Sequence, residues 1–321
     1  MIFRRNIALP FIIGSMFLLS GCDHFLREGG AAGAESLITD GPEVTGVQGT
    51  LLENAKSAEN KGEFSRATQL YSQLISYDKD RVAYKISYAN AARRAGNTDS
   101  AIQAYEKILE KHPKHIEALE GKGIAQLANN DVPNALSSFT QVMQINSKRW
   151  KTLNALGLIF IAEGRHDDAM AYFTEALLQS PNNVSVLNNV GLTLAIQNEN
   201  RDAIEALETA SELVYKTGGN KAQIKHIDLN LAMVHGITGN MSAAKSVASR
   251  HLKGAELDNN LGFYAHLTQD DQLAKSYLNR ALSKNSSHYE KAWKNLELIS
   301  AGENRANDRG GVNKGKSVKV N

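Results

Sequence analysis

The chain of 321 residues has one cysteine, five prolines and only 7% aromatic residues. A single thiol excludes an internal disulfide even in an oxidising compartment, and it cannot supply a cysteine zinc site. Scarce proline removes the strongest helix breaker, and the Ala and Leu that fill the chain are good helix formers. An excess of charge is also missing. Setting aside Arg4 and Arg5, which fall in the leader described below, the 36 Lys and Arg become 34, against 34 Asp and Glu. Residues 301–321 carry Arg305, Arg309, Lys314, Lys316 and Lys319 against Glu303 and Asp308. That tail is positive by three, so the preceding body is negative by three. Such a body lacks the basic face that general nucleic-acid binding needs to displace counterions from phosphates.

The catalytic patterns are missing as well. No His-Glu-x-x-His pair, Gly-rich phosphate loop or Gly-x-Ser-x-Gly elbow occurs. The nine histidines are scattered, with His112 and His115 flanking Pro113 and His166 beside a turn glycine. These absences predict a protein that is not an enzyme and that takes no metal, no cofactor and no small-molecule substrate.

What is present begins at the N-terminus. Arg4 and Arg5 precede an apolar stretch from Ile7 to Leu19, interrupted by Pro10. It is shorter than the roughly 20 residues a helix needs to cross a bilayer, and it ends in Leu19-Ser20-Gly21-Cys22. This layout is that of an export signal. The last four residues resemble the bacterial lipobox, which implies a lipoprotein signal peptide over 1–21 and a lipidated Cys22 carrying diacylglycerol and amide-linked acyl chains of the palmitate type. Several acyl chains anchor stably, since each buried CH₂ contributes about 0.8 kcal/mol. Residues 22–47, with Gly29, Gly30, Gly33 and Gly41 and no apolar period, read as a flexible tether. The chain is thus expected to face the periplasm from a membrane. Asp23 resembles an inner-membrane retention signal.

The body is a repeat. Ala67, Ala101, Ala135, Ala169 and Ala203 are 34 residues apart without a slip. Twelve positions before each stands a small residue (Ala55, Ala89, Gly123, Gly157, Gly191), and four positions after it Tyr71, Tyr105, Phe139, Phe173 or Leu207. The first set belongs on one helix and the second on its antiparallel partner, so the small columns face each other where the helices cross closely. The aromatic column then extends the buried stripe. Between the helices stand Gly62, Gly96, Asn130, Gly164 and Asn198, residue types that adopt the left-handed conformation ending a helix. Pro113 and Pro181 close second helices. The pattern resembles the tetratricopeptide repeat (TPR) signature. The predicted fold is an all-α TPR solenoid, a right-handed superhelix of antiparallel helix pairs, with five repeats over 48–217. Lys122 and Gln126 depart from the signature by occupying first-helix positions that are usually apolar. Over 218–300, Ala232, Gly239 and Ala244, then Gly262, Ala274, Leu278 and Ala281, predict two divergent pairs, closed by a capping helix with Trp293. Residues 301–321 read as a disordered basic tail.

In such a solenoid the first helices line a concave groove, and their solvent-facing side chains are free to hold a segment of another protein. Arg93, Arg94, Asn154, Asn188, Asn189, Asn230, Asn259 and Asn260 are the candidate partner-binding residues. Asn donates and accepts at once, which suits an extended peptide.

The segment from Asp228 to Asn240, with Ala243-Ala244-Lys245 and Asn259-Asn260-Leu261-Gly262-Phe263-Tyr264, resembles the C-terminal part of the TadD family, the TPR lipoproteins of tight adherence (Tad/Flp) pilus systems. The resemblance implies a pilotin-like role in assembling or localising a secretin, on the outer membrane. The alternative is a general envelope adaptor that tethers peptidoglycan-active enzymes or other periplasmic partners.

Overall fold

A computed structural model describes residues 46–284 and 290–311, with no account of side chains beyond Ser300. The expected signal peptide, Cys22, nearly all of the tether and the end of the tail lie outside that range. The described residues form fifteen helices and no strand. They fall into two compact units.

Unit 1 reaches Ile196. It contains α1 (Gly46–Asn60), α2 (Phe64–Tyr77), α3 (Val82–Arg94), α4 (Thr98–Lys111), α5 (Ile116–Ala128), α6 (Val132–Ile145), α7 (Trp150–Ala162), α8 (His166–Gln179) and α9 (Val184–Ile196). Consecutive helices pack on each other. The turn residues Gly62, Gly96, Asn130 and Gly164 all have φ between 60° and 86°, as does Asn198 at 64° just beyond the unit. A left-handed residue there ends each first helix and reverses the chain at little steric cost.

The periodic alanines, including Ala203, are fully buried, and so are Tyr105, Phe139 and Phe173. One detail differs from the expected contact. A Cβ on Gly123 would lie 2.6 Å from the Phe139 ring, and one on Gly157 would lie 2.4 Å from Phe173. The glycines therefore make room for the aromatic one turn beyond the alanine, because the ring is the group that needs the depth. Lys122 and Gln126 are accommodated by polar partners: Lys122 pairs with Glu106 at 2.9 Å, and buried Gln126 accepts a hydrogen bond from Ser138 at 2.8 Å. Left without a partner, a buried polar group of this kind would cost about 1–3 kcal/mol.

Unit 2 begins at Gln197, inside the fifth repeat and after its first helix. It contains α10 (Asn200–Lys216), α11 (Lys221–Ile237), α12 (Met241–Ala248), α13 (Gly254–Leu267), α14 (Asp271–Ser283) and α15 (Glu290–Gly311). Asn240 and Asp270 hold equivalent places in successive helix pairs, capping α12 and α14 by accepting from Ala243 N and Leu273 N. Gly239 and Gln269, each one position earlier, hold the left-handed turns. Ala244 and Ala274 keep the same interval and are fully buried. In α15, Ala292 and Ile299 close a core with Ala265, Ala274, Leu278 and Ala281. This helix runs to Gly311, past the expected end at Ser300.

Candidate functional site

Four of the five first helices of unit 1, α3, α5, α7 and α9, neighbour one another in order. Position Ile86 on α3 recurs at 34-residue intervals as Glu120, Asn154 and Asn188, so one column of side chains crosses all four helices. Glu120 is buried. Arg149, just before α7, reaches its carboxylate at 2.7 Å, and Thr152 donates to it at 2.9 Å. Arg149 also lies 3.8 Å from Glu117. On the α3 side, Tyr105 donates to Asn90 at 2.6 Å. Burial pushes the Tyr105 phenol up, and the nearby Arg93 guanidinium opposes that rise.

Asn154, Asn188 and Asn189 come together on α7 and α9. Asn188 donates to Asn189 Oδ1 at 3.4 Å, and Asn189 donates to Asn154 Oδ1 at 3.0 Å. All three are buried, as is Arg93, where solvent-facing positions were expected. For the three amides the cause is the packing of α9 against α7, since Asn189 turns towards the neighbouring helix and bonds Asn154 there. Lys151 stands one turn before Asn154, with its ammonium 5.7 Å from the centre of the Trp150 ring. Burial pushes that ammonium below the usual lysine range, Glu120 and Glu117 draw it back up, and Arg149 and Arg93 push it further down. Arg94 is partly exposed, with its guanidinium 4.0 Å from the centre of the Phe64 ring.

The other candidates lie in unit 2. Asn230 and Asn259 are buried as well, against expectation. Asn230 sits 3.2 Å from His226, and Asn259 accepts from Asn295 at 3.0 Å. Asn260 is partly exposed and bonds the backbone of its own helix through Glu256 O.

Sequence reasoning missed the larger polar centres of unit 2. Asp228, fully buried on α11, accepts from Ser211 and Tyr215 on α10 at 2.7 and 2.8 Å, and pairs with Arg250 at 3.4 Å and His251 at 2.7 Å. Burial raises its carboxyl, but bonds from Ser211, His251 and Tyr215 with the Arg250 charge outweigh that and bring it below the ordinary Asp value. Asp258 on α13 is held in the same way by Arg280 at 2.6 Å and Lys284 at 2.7 Å. Its carboxyl is also lowered, because bonds and charges from those two residues overcome burial. The signal was the register: the step from Asp228 to Asp258 equals the step from Arg250 to Arg280, so each Asp–Arg pair spans 22 positions.

Among the described residues no group of His, Cys, Asp and Glu has the arrangement of a metal site. None of their helices is long and apolar enough to cross a membrane. The geometry is that of paired helices whose first helices enclose ordered polar side chains between neighbours in unit 1.

Comparison with known proteins agrees with that architecture. A family model described as the cilia and flagella-associated protein 70 middle TPR-like domain matches residues 51–249. A tetratricopeptide repeat protein from Parabacteroides merdae superposes with a TM-score of 0.51 at 16% identity, covering 79% of this chain and 98% of its own. PilW, a widely conserved type IV pilus biogenesis factor, gives 0.53 at 18% identity over 67% of this chain and 96% of its own. PilF of Pseudomonas aeruginosa gives 0.51 at 17% identity over 68% and 96%. At these identities the likeness is one of fold. No curated protein matches the chain.

Proposed function

The chain belongs to the family of the cilia and flagella-associated protein 70 middle TPR-like domain, and from that premise we propose that it is a protein-binding scaffold lipoprotein of the bacterial cell envelope. It holds a segment of a secretin or another pilus-assembly component, and so assists assembly of a Tad/Flp pilus in a pilotin-like role. The observation that supports the binding reading is the packed row of first helices α3, α5, α7 and α9, whose buried polar column Glu120, Asn154 and Asn188 keeps one 34-residue register and makes a rigid support for partly exposed side chains of the same helices, Arg94 and Lys151 among them. The pilus reading is supported by the resemblance of 228–264 to TadD proteins and by the fold shared with PilW. Cys22 anchors the chain by its acyl groups, facing the periplasm, with the outer membrane the address the family resemblance favours.

The test is a deletion strain complemented with the wild-type chain or with Cys22→Ser. Loss of secretin multimers and surface pili on deletion, restored only by the lipidated form, is the expected result. Normal secretin multimers and normal pili in the deletion strain contradict the pilus role. Recovery of peptidoglycan-active enzymes with the chain, in place of a secretin, would assign it as a general envelope adaptor.

A further inference from the structure

In unit 1 the helix ends sort onto two edges. Connections 61–63, 95–97, 129–131 and 163–165 join each first helix to its second, and connections 78–81, 112–115, 146–149 and 180–183 lead on to the next first helix. Links this short hold consecutive helices antiparallel, so each set stays on its own edge. Among the described residues of unit 1, the large apolar side chains left exposed all stand on the edge where first helices begin and second helices end. They are Val47 at the start of α1, Tyr77 at the end of α2, Ile145 at the end of α6 and Leu178 near the end of α8, each 41–68% exposed. On the opposite edge Phe64 and Val132, which start α2 and α6, are half-buried. The two edges also differ in charge. Connections 78–81, 112–115 and 146–149 hold five Lys and Arg against Asp78 and Asp80, whereas the opposite connections hold Lys61 and Arg165 against Glu63, Asp131 and Glu163. Asp78 accepts from Arg81 N at 3.1 Å within its own turn, and Asp80 pairs with Lys111 at 3.7 Å. Lys79, Lys114 and Lys148 are exposed in three successive connections, and among the described residues no ion pair engages them.

Apolar tips interleaved with lysines suit a bilayer interface, where the tips reach the acyl boundary while the ammonium groups stay among headgroup phosphates. The tips are also spread singly along the repeats, which fits an extended surface better than the central, clustered anchors of a protein contact. The route of the chain points the same way. Helix α1 begins on this edge, and residues 23–45 alone stand between it and Cys22, so a lipid on Cys22 enters from the apolar, basic side. We propose that this edge of unit 1 rests on an anionic phospholipid surface, with Val47, Tyr77, Ile145 and Leu178 at the acyl boundary and Lys79, Lys114 and Lys148 on headgroup phosphates. The inference rests on the lipoprotein reading for the direction of approach, and it adds a second contact that fixes which edge of the repeats faces the membrane.

The test uses the mature chain bearing Cys22→Ser, which has no other cysteine, with vesicles of phosphatidylcholine alone or of equimolar phosphatidylcholine and phosphatidylglycerol. Co-sedimentation at low salt is expected to show binding to the anionic vesicles only, weakening as salt screens the lysines. Lys79→Gln, Lys114→Gln and Lys148→Gln together should weaken it about a hundredfold, near fivefold for each charge, and the matching Lys→Arg changes should retain it. Tyr77→Ser, Ile145→Ser and Leu178→Ser together should weaken binding at every salt concentration. A polarity-sensitive dye on Ser147→Cys, in the connection before α7, should shift to the blue on anionic vesicles. The same dye on Ser65→Cys, exposed at the start of α2 on the opposite edge, should not.

No binding to the anionic vesicles, equal binding to the neutral ones, full binding by the triple Gln variant, or equal shifts of the two dyes would overturn the proposal. So would a protein adduct in place of a lipid adduct from a photocrosslinker at position 147 in living cells, since the edge would then dock a protein. The mass of the N-terminal peptide isolated from cells separates this inference from the reading it rests on. An unacylated Cys22 in a chain that still prefers anionic vesicles would sink the lipoprotein reading alone. An acylated Cys22 in a chain without that preference would sink the membrane edge alone.

Discussion

The two units solve one packing problem with different side chains. Four positions before the small residue of the first helix, unit 1 carries buried leucines such as Leu119 and Leu153. Unit 2 carries Asp228 and Asp258 at the corresponding place, before Ala232 and Gly262. The third and fourth repeats of unit 1 thus secure this position by apolar burial, the second places Lys85 there, and unit 2 uses carboxylates clasped by arginine, lysine, histidine and hydroxyl groups. Apolar burial tolerates changes of pH. A buried carboxylate demands specific partners and fixes the register of the helices that supply them. The difference teaches that the same place in a helix pair can be filled by an ionic contact or by a hydrophobic one, in pairs whose spacing departs from 34 residues as well as in those that keep it.

Four substitutions or conditions sharpen this contrast, and hydrogen exchange reads each unit separately. The largest effect is expected from Phe173→Ala, which empties the space in front of Gly157 and should cost unit 1 about 3–5 kcal/mol, seen as lost amide protection in α7 and α8. Next comes Asp228→Ala in unit 2. It strands the Ser211 and Tyr215 hydroxyls and removes the anion that Arg250 and His251 face. A loss of about 2–3 kcal/mol is expected, confined to α10, α11 and α12. If that loss spread equally over α3 to α8, the division of labour between the units would be refuted.

Acid should separate the units further. The Asp228 and Asp258 carboxyls are held below the ordinary value, so their stabilisation is present above the unfolded-state pKa and disappears as pH falls through the folded one. In unit 1 the carboxyl of Glu59 moves the other way, because burial raises it against the opposing Tyr71 bond and Arg94 charge. Its folded form prefers the proton, so lowering the pH through that range relieves a cost. Protection measured from neutral pH down to about pH 3, below the ordinary Asp value of about 3.9, should therefore fall in α11 and α13 before it falls in α1 to α4. The smallest effect is expected from Leu298→Ser on α15, whose side chain is 61% exposed. A change within about 0.5 kcal/mol is predicted, and a larger one would mean that this residue is covered in solution.

Most of unit 1 was legible in the sequence, because close helix crossing admits few side chains and each requirement recurs with one unbroken period. Alanine, glycine and aromatic columns report directly on that geometry, and the turn residues Asn130 and Asn198 report on left-handed backbone. The inner face was less legible. Asn154 and Asn189 were identifiable as candidates, but their mutual hydrogen bond depends on how closely α9 approaches α7, which residue type does not reveal. Glu120 was within reach, since it occupies the column of Asn154 one repeat earlier. In unit 2 the small columns were readable. The Asp–Arg pairs were not, because their partners lie 22 positions apart and their repeat is shorter than the one that organises unit 1.

The most direct test of the account is photocrosslinking in living cells from a probe placed at Lys151, with a second probe at Leu178 on the exposed side of α8 as its control. A single envelope-protein adduct from position 151 and none from 178 is the predicted outcome. Equal adducts from both positions, or an adduct from 178 alone, would contradict a partner-binding face on the first helices of unit 1.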